Sequence, residues 1–300
     1  MDIGGDYYAS VLFDEAGSQR EGFTTRQDSP TFQPRTPTEW IISGPHFFVA
    51  TPFNKTPRTT CQSKGAYDDI DLTAIDADYV PRAVYRPGNR KEDTTAFLRK
   101  IPRWPDSSTP VSDYYRYANR EMVSKGAERE LVPVILPPGP THIHTVFEIC
   151  FNSLEVMTTF ASAAASICYD FLVKLVGKGH CNHNVAKMLP LIQGPLTRPI
   201  MARGLRLNCL TKVYSDLWTT MARDVLNDDD WTSDNPRLRS PKEDSSLDAN
   251  DENWPYELPW KRLDPKRWTW KTPVRTDFVR RQSLLEIDAM VALALGLSLQ

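Results

Sequence analysis

The sequence predicts an α+β fold, a β-rich half followed by a helical half. Three observations carry that prediction. Before Asn152 the apolar residues fall in short runs, such as Ile41-Ile42, Phe47-Phe48-Val49, Leu131 to Leu136 and Ile143 to Phe151, each bounded by proline, glycine or charge. Beyond Asn152 they recur at three- and four-residue intervals over long stretches, which is the period of a helix. Most of the 24 prolines lie in the front half, where they interrupt any long helix.

Taken in order, residues 1–39 read as a linker or the end of a preceding domain. Their one apolar island, Tyr7 to Phe13, suits a short strand or helix turn, and Pro30, Pro34 and Pro37 then withhold backbone hydrogen bonds. Trp40 to Phe53 reads as strand interrupted by Gly44-Pro45, followed by a polar loop with Lys55, Arg58 and Lys64. Asp69 to Leu72 and Tyr79 to Tyr85 suit short strands, and residues 86–110 form a charged connection. Tyr114 to Lys125 has helical spacing, with Tyr114, Tyr117 or Ala118, and Met122 on adjoining faces. Leu131 to Leu136 and Ile143 to Phe151 are strands joined by the Pro137-Pro138-Gly139-Pro140 turn. Helices are expected over 153–175, 199–226 and 276–297. The units are therefore 40–226, an acidic flexible insertion at 227–258, and a basic, aromatic connection with a packing helix at 259–300.

The formal charge of -2 argues against a simple basic nucleic-acid binder, but the average conceals an asymmetry. Residues 227–258 hold ten carboxylates against Arg237, Arg239 and Lys242, so the remainder carries an excess of cations. Five scattered cysteines suit reduced thiols in a cytoplasmic protein. No signal pattern opens the chain and no run approaches the ~18 apolar residues of a membrane span.

Several chemistries lack their motifs. Gly177-Lys178-Gly179 lacks the spacing of a phosphate-cradling loop, no Gly-x-Gly-x-x-Gly follows a strand, and a serine-hydrolase elbow is absent. His142 and His144, two apart on an expected strand, and His180, Cys181 and His183 supply zinc-type donors, yet their spacings match no finger or enzyme pattern. Asp106, Asp264 and Lys266 offer the groups of a metal-dependent nuclease without its pattern. No catalytic residue and no metal ligand is assigned.

Two patterns remain. Residues 260–281 interleave Trp260, Trp268 and Trp270 with Lys261, Arg262, Lys266, Arg267, Lys271, Arg275, Arg280 and Arg281. Such a segment either grips phosphate and stacks bases, or docks its indoles on the core with the charges in water. Ser166 to Ile192 runs from an apolar segment through the turn Gly177-Lys178-Gly179-His180 to the closure Met188-Leu189-Pro190-Leu191.

This second stretch, with Ser43 to Val49, Pro52 to Arg58, Leu205 to Thr211 running on to Trp218, and Arg281 to Leu297, resembles the C-terminal target-recognition region of large adenine-specific DNA methyltransferases. The likeness is to the type IIG restriction-modification kind and to DISARM- and BREX-like phage-defence enzymes, the DISARM type nearest, over residues 40–300. It implies binding to double-stranded DNA beside a catalytic domain or subunit that uses S-adenosylmethionine. The glycine-rich donor loop and Asn-Pro-Pro-Tyr-type motif of such enzymes are absent, and relatives continue where this chain ends at Gln300. The resemblance therefore implies a recognition part with no cofactor and no methyl transfer of its own, as a split subunit or a fragment. Candidate DNA contacts are His46, Asn54, Lys55, Arg58 and Lys64 in the first loop, Lys174, Lys178, His180 and Asn182 in the turn, and Arg262, Lys266 and Arg267 in the connection. A small metal-dependent nuclease or zinc protein, and a non-functional remnant, are the alternatives.

Overall fold

A computed structural model of the chain describes residues 7–63, 65–88, 94–105, 107–124, 126–226, 229–235, 238 and 257–297. The front half contains β1 (Tyr7–Ser10), α1 (Glu15–Arg20), β2 (Thr24–Arg26), β3 (Ile41–Ile42), β4 (Lys55–Pro57), β5 (Tyr67–Asp69), β6 (Tyr85–Pro87), α2 (Thr94–Lys100), β7 (Arg116–Arg120), β8 (Pro133–Leu136), β9 (Thr141–His142) and β10 (Val146–Phe151). The back half contains α3 (Leu154–Ala164), α4 (Ile167–Val176), α5 (His183–Ala186), α6 (Thr197–Asn208), α7 (Ser215–Val225) and α8 (Asp277–Ala294). The fold is α+β, with strands concentrated in the first half and helices later.

An antiparallel sheet in the order β1-β10-β7-β8 forms the centre. β10 can be its inner strand because all six residues are buried, and Ile149 opposite Tyr117 and Ala9 sets the register. Phe160 of α3 covers the sheet, meeting Tyr117 edge-on with ring centroids 4.8 Å apart and Phe151 at 5.6 Å. Against α3 lies α6, so close that a Cβ on Gly204 would sit 1.8 Å from Ser162 Oγ. The free edge of β8 is covered by side chains rather than by another strand. Asn208 Oδ1 accepts the Ile135 N–H at 3.0 Å and Tyr214 donates to the Ile135 carbonyl at 2.8 Å.

Several sequence expectations change. The helix expected at 114–125 is the strand β7, because Arg116 and Asn119, polar enough to suggest a wet helix face, are wholly buried and satisfied from afar. Arg116 pairs with Glu148 at 2.8 Å and donates to the carbonyls of Pro137 and Pro140, while Asn119 donates to the Cys181 carbonyl at 2.9 Å. The strands on either side of the Pro137 to Pro140 turn do not pair with each other: β7 lies between them, and the turn leads into β9, which runs parallel to β3. Within 40–53 only Ile41–Ile42 is a strand, since Gly44–His46 forms a 3-10 turn. The strands expected at 69–72 and 79–85 fall instead at Tyr67–Asp69 and Tyr85–Pro87. The short strand or helix turn expected in the Tyr7 to Phe13 island is the edge strand β1, and the stretch read as a linker after it supplies α1 and β2.

The expected helix 153–175 breaks into α3 and α4, bent by 79°, because the Ser166 side chain accepts the Tyr169 N–H and starts a new helix. Helix 199–226 is likewise broken, at Cys209 to Tyr214, where the chain turns to place Asn208 and Tyr214 on β8. Among the described residues no single helix is long and apolar enough to cross a membrane. Most of the acidic insertion lies outside the described residues, but Asp229 is fixed to Arg203 at 2.8 Å.

Candidate nucleic-acid interface

The polar loop after residue 53 is a β4–β5 hairpin whose register pairs Lys55 with Asp69 and Thr56 with Asp68. It carries two ion pairs, Lys55 Nζ to Asp69 at 3.0 Å and Arg58 Nε to Asp68 at 2.7 Å, with Arg58, Asp68 and Asp69 mostly in water and Lys55 partly so. Exposed pairs of this kind contribute only about 0–1 kcal/mol, so a phosphate can displace the carboxylate at small cost. Lys64 lies outside the described residues.

The second candidate loop begins where α4 stops. Gly177 adopts a left-handed conformation, φ 64°, that closes the helix, and the following residues lie along the chain just after β7. Gly179 accepts the Val123 N–H at 3.0 Å, and the Cys181 N–H donates to the Glu121 carbonyl at 2.7 Å. His180 Nδ1 is 3.0 Å from the Glu121 carboxylate, which is also 3.8 Å from His144 Nε2. The turn is therefore held at the strand end, with Lys178 exposed and, among the described residues, in no ion pair.

The hairpin lines a cleft that the second loop reaches only through Met122. This cleft, of about 470 Å³, is lined by Lys55 and Tyr67 of the hairpin, by Arg26, by Thr145, and by Arg120 and Met122 at the end of β7. Met122 pairs with His180 across the turn and is 62% exposed. Arg120 donates to the carbonyls of Gly44 and Phe47 at 2.8 and 2.6 Å, with no carboxylate partner among the described residues. Arg26 is already engaged, by Asp28 at 2.8 Å and Glu15 at 3.3 Å.

Other candidates have structural work. His46 is wholly buried: the Ser43 N–H donates to Nδ1 at 2.9 Å, so Nε2 carries the proton and lies 2.9 Å from the Arg82 carbonyl. Burial lowers its pKa to about 4, and it cannot reach DNA. Lys174 neutralises Asp170 at 2.9 Å, whose carboxylate accepts the N–H groups of Glu130 and Leu131. Asn182 caps α5 by accepting the Asn184 N–H. Asn54 faces a different, larger cleft of about 750 Å³, lined by Asp69, Asp71 and Asp277 and by Arg275 and Arg280, whose guanidiniums are taken up by backbone carbonyls.

Arg262, Lys266 and Arg267 are exposed, but their segment is fastened to α6 and α7, which do not line the 470 Å³ cleft. There the indoles dock. Trp218 donates to the Asp264 carbonyl at 2.9 Å, Trp268 to Cys209 at 2.7 Å and Trp270 to Ile75 at 2.8 Å. Four arginines expected or free to be wet act as internal ties. Arg203 holds Glu286 at 2.5 Å, Arg206 lies 4.6 Å from the Trp260 ring centroid, and Arg275 and Arg280 donate to the carbonyls of Leu210 and Leu207.

The zinc-type donors diverge. His142 is buried beside Glu148, at 3.2 Å, while His144 is half in water at Glu121, so they do not share a face. Cys181 is buried, its thiol pushed up to about 12 by desolvation, and His183 meets the Tyr7 hydroxyl at 2.9 Å. Among the described residues no group of three or more His, Cys, Asp or Glu side chains is arranged to hold a metal. Sequence reading missed Arg26, Tyr67, Arg120 and Met122. The one signal for the last two was the strand hidden beneath a helical period. No protein-family model matches the chain, and no curated protein matches it.

Proposed function

We propose that the chain is the DNA-binding target-recognition part of an adenine-specific DNA methyltransferase of a restriction-modification or phage-defence system, acting in the cytoplasm. The observation that carries this reading is a cleft lined by Lys55 and Tyr67 of the hairpin with Arg120 and Met122, of which Met122 is bridged to His180 of the second loop singled out by the resemblance. Lys55, Arg58 and Lys178 are exposed cations that can neutralise phosphate, either unpaired or held by displaceable carboxylates. His180 and Tyr67 offer hydrogen bonds, and Met122 an apolar surface, to base edges.

An adenine amino group is inaccessible within the stacked duplex, so the enzyme must extrude the base. Recognition residues assist by fixing phosphates on either side of it. The methyl donor and the base pocket belong to a catalytic domain or subunit, because this sequence has neither a glycine-rich donor loop nor an Asn-Pro-Pro-Tyr motif. The test is binding of duplex DNA as a function of salt, compared between the wild-type chain and variants lacking the hairpin and turn cations.

A further inference from the structure

The cleft beside the hairpin holds a cation that no carboxylate balances. Arg120 donates from Nε to the Gly44 carbonyl and from Nη2 to the Phe47 carbonyl, and its guanidinium lies 5.6 Å from the Phe48 ring centroid. The group is therefore fixed, yet among the described residues Nη1 has no acceptor and no carboxylate is in ion-pair contact. Burial lowers the Arg120 pKa, and no neighbouring anion raises it again. Arg26 and Glu15, which share the cleft, pair with each other at 3.3 Å, so the uncompensated charge is that of Arg120.

Two further donors line the same cleft. Thr145 Oγ1 accepts the Gly44 N–H at 3.1 Å, which leaves its own hydrogen to donate. Lys55 meets Asp69 at 3.0 Å in a bridge open to water, and its ammonium can exchange that carboxylate for another anion. The donors select the anion. Side-on capture of a planar carboxylate uses Nε and Nη2 of an arginine together, and here both are engaged by carbonyls. What remains is one Nη1, a hydroxyl and an ammonium on separate segments, an arrangement suited to a tetrahedral phosphate with its three acceptor oxygens. The volume of about 470 Å³ lies in the ~300–1,000 Å³ range of small-molecule sites, so a bare phosphate would leave most of it to water. Tyr67, half-buried, and Met122, exposed, offer a ring and a polarizable thioether to a flat organic body.

We propose that this cleft binds a nucleoside monophosphate unit, with its phosphate held by Arg120, Thr145 and Lys55 and its base packed by Tyr67 and Met122. The unit can be a free nucleotide or one nucleotide of a single strand, since both present the same phosphate and base. The inference goes beyond duplex recognition, because Arg58 and Lys178, cations of that reading, do not line the cleft.

Isothermal titration calorimetry of the full chain with AMP tests it. A Kd between about 10 μM and 1 mM is expected, with inorganic phosphate and adenosine each at least about tenfold weaker. Arg120→Gln should weaken AMP binding at least about tenfold. Because that variant also loses two carbonyl bonds, Lys55→Ala provides a second reading at a water-exposed bridge: AMP binding about two- to fivefold weaker, with the urea midpoint nearly unchanged. Arg58→Ala with Lys178→Ala should leave AMP binding unaltered while lowering the salt slope of duplex binding, so either reading can fail alone. A short oligoadenylate bound more tightly than AMP, through Arg120, identifies a strand as the source, and the reverse order a free nucleotide. No AMP binding at about 5 mM, phosphate bound as tightly as AMP, or equal affinity of wild type and Arg120→Gln overturns the proposal.

Discussion

His46 offers a stability test whose size follows from its burial. The imidazole is shut in by Trp40 and Tyr67, with ring centroids 5.6 and 6.1 Å away, and its Nδ1 accepts the Ser43 N–H. Protonation would place a charge in the interior, and that desolvation, only partly offset by the backbone carbonyls of Arg82 and Ser43, lowers the pKa from 6.5 to about 4. A group with a depressed folded pKa contributes stability that is complete above its unfolded value and is lost as pH falls through the folded value. The window here is pH 6.5 to 4, and the loss across it is about 3 kcal/mol at 1.36 kcal/mol per unit. His46→Gln removes the titration while losing ring packing, so the variant should be less stable at pH 7 and its deficit should shrink towards pH 4. Urea unfolding at half-unit intervals from pH 7.5 to 4 reads this directly, because groups common to both proteins cancel in the difference. Parallel curves for wild type and variant would refute the burial argument and return His46 to the set of solvated loop residues.

Two further outcomes test the core. Glu148→Gln should cost about 3–5 kcal/mol near neutrality, because it leaves the buried Arg116 charge uncompensated. Burial alone would raise the Glu148 pKa, but Arg116 and then His142 outweigh it and hold the group at about 2. The deficit in urea unfolding should therefore persist from pH 7 to 5 and narrow only as pH falls further; equal stability at pH 7 would contradict the network. Gly204→Ala should lower stability by about 1–3 kcal/mol despite the better helix propensity of alanine, since its Cβ would meet Ser162 Oγ at 1.8 Å. A thermal midpoint at or above wild type would show that α3 and α6 can separate.

The elements legible in the sequence are those whose own residues dictate them. β10 is an unbroken buried apolar run, α8 has the helical period, and the glycine at 177 ends α4 where a left-handed residue is needed. β7 was illegible because Arg116 and Asn119 look like surface residues until Glu148 and Cys181, 32 and 62 positions away, come to meet them. The basic, aromatic connection shows the same limit. Its tryptophans and arginines were visible, but which of them turn inward depends on carbonyls of Ile75, Leu207, Cys209 and Leu210 that no local pattern marks. The two loops could be chosen from their cations, whereas the bridge of His180 to Met122, at the edge of the hairpin's cleft, accompanies the contact of His180 with Glu121.

The salt dependence of duplex binding tests the DNA-recognition reading most directly. Affinity of the wild-type chain should fall as salt rises, and replacing Lys55, Arg58 and Lys178 together with alanine should reduce the slope of log K against log salt by about 2–3, near 0.9 for each phosphate left without its cation. Replacing Lys266 and Arg267, whose segment is fastened to α6 and α7, should leave it nearly unchanged. Absence of duplex binding at low salt, or an unaltered slope in the triple variant, would contradict the account.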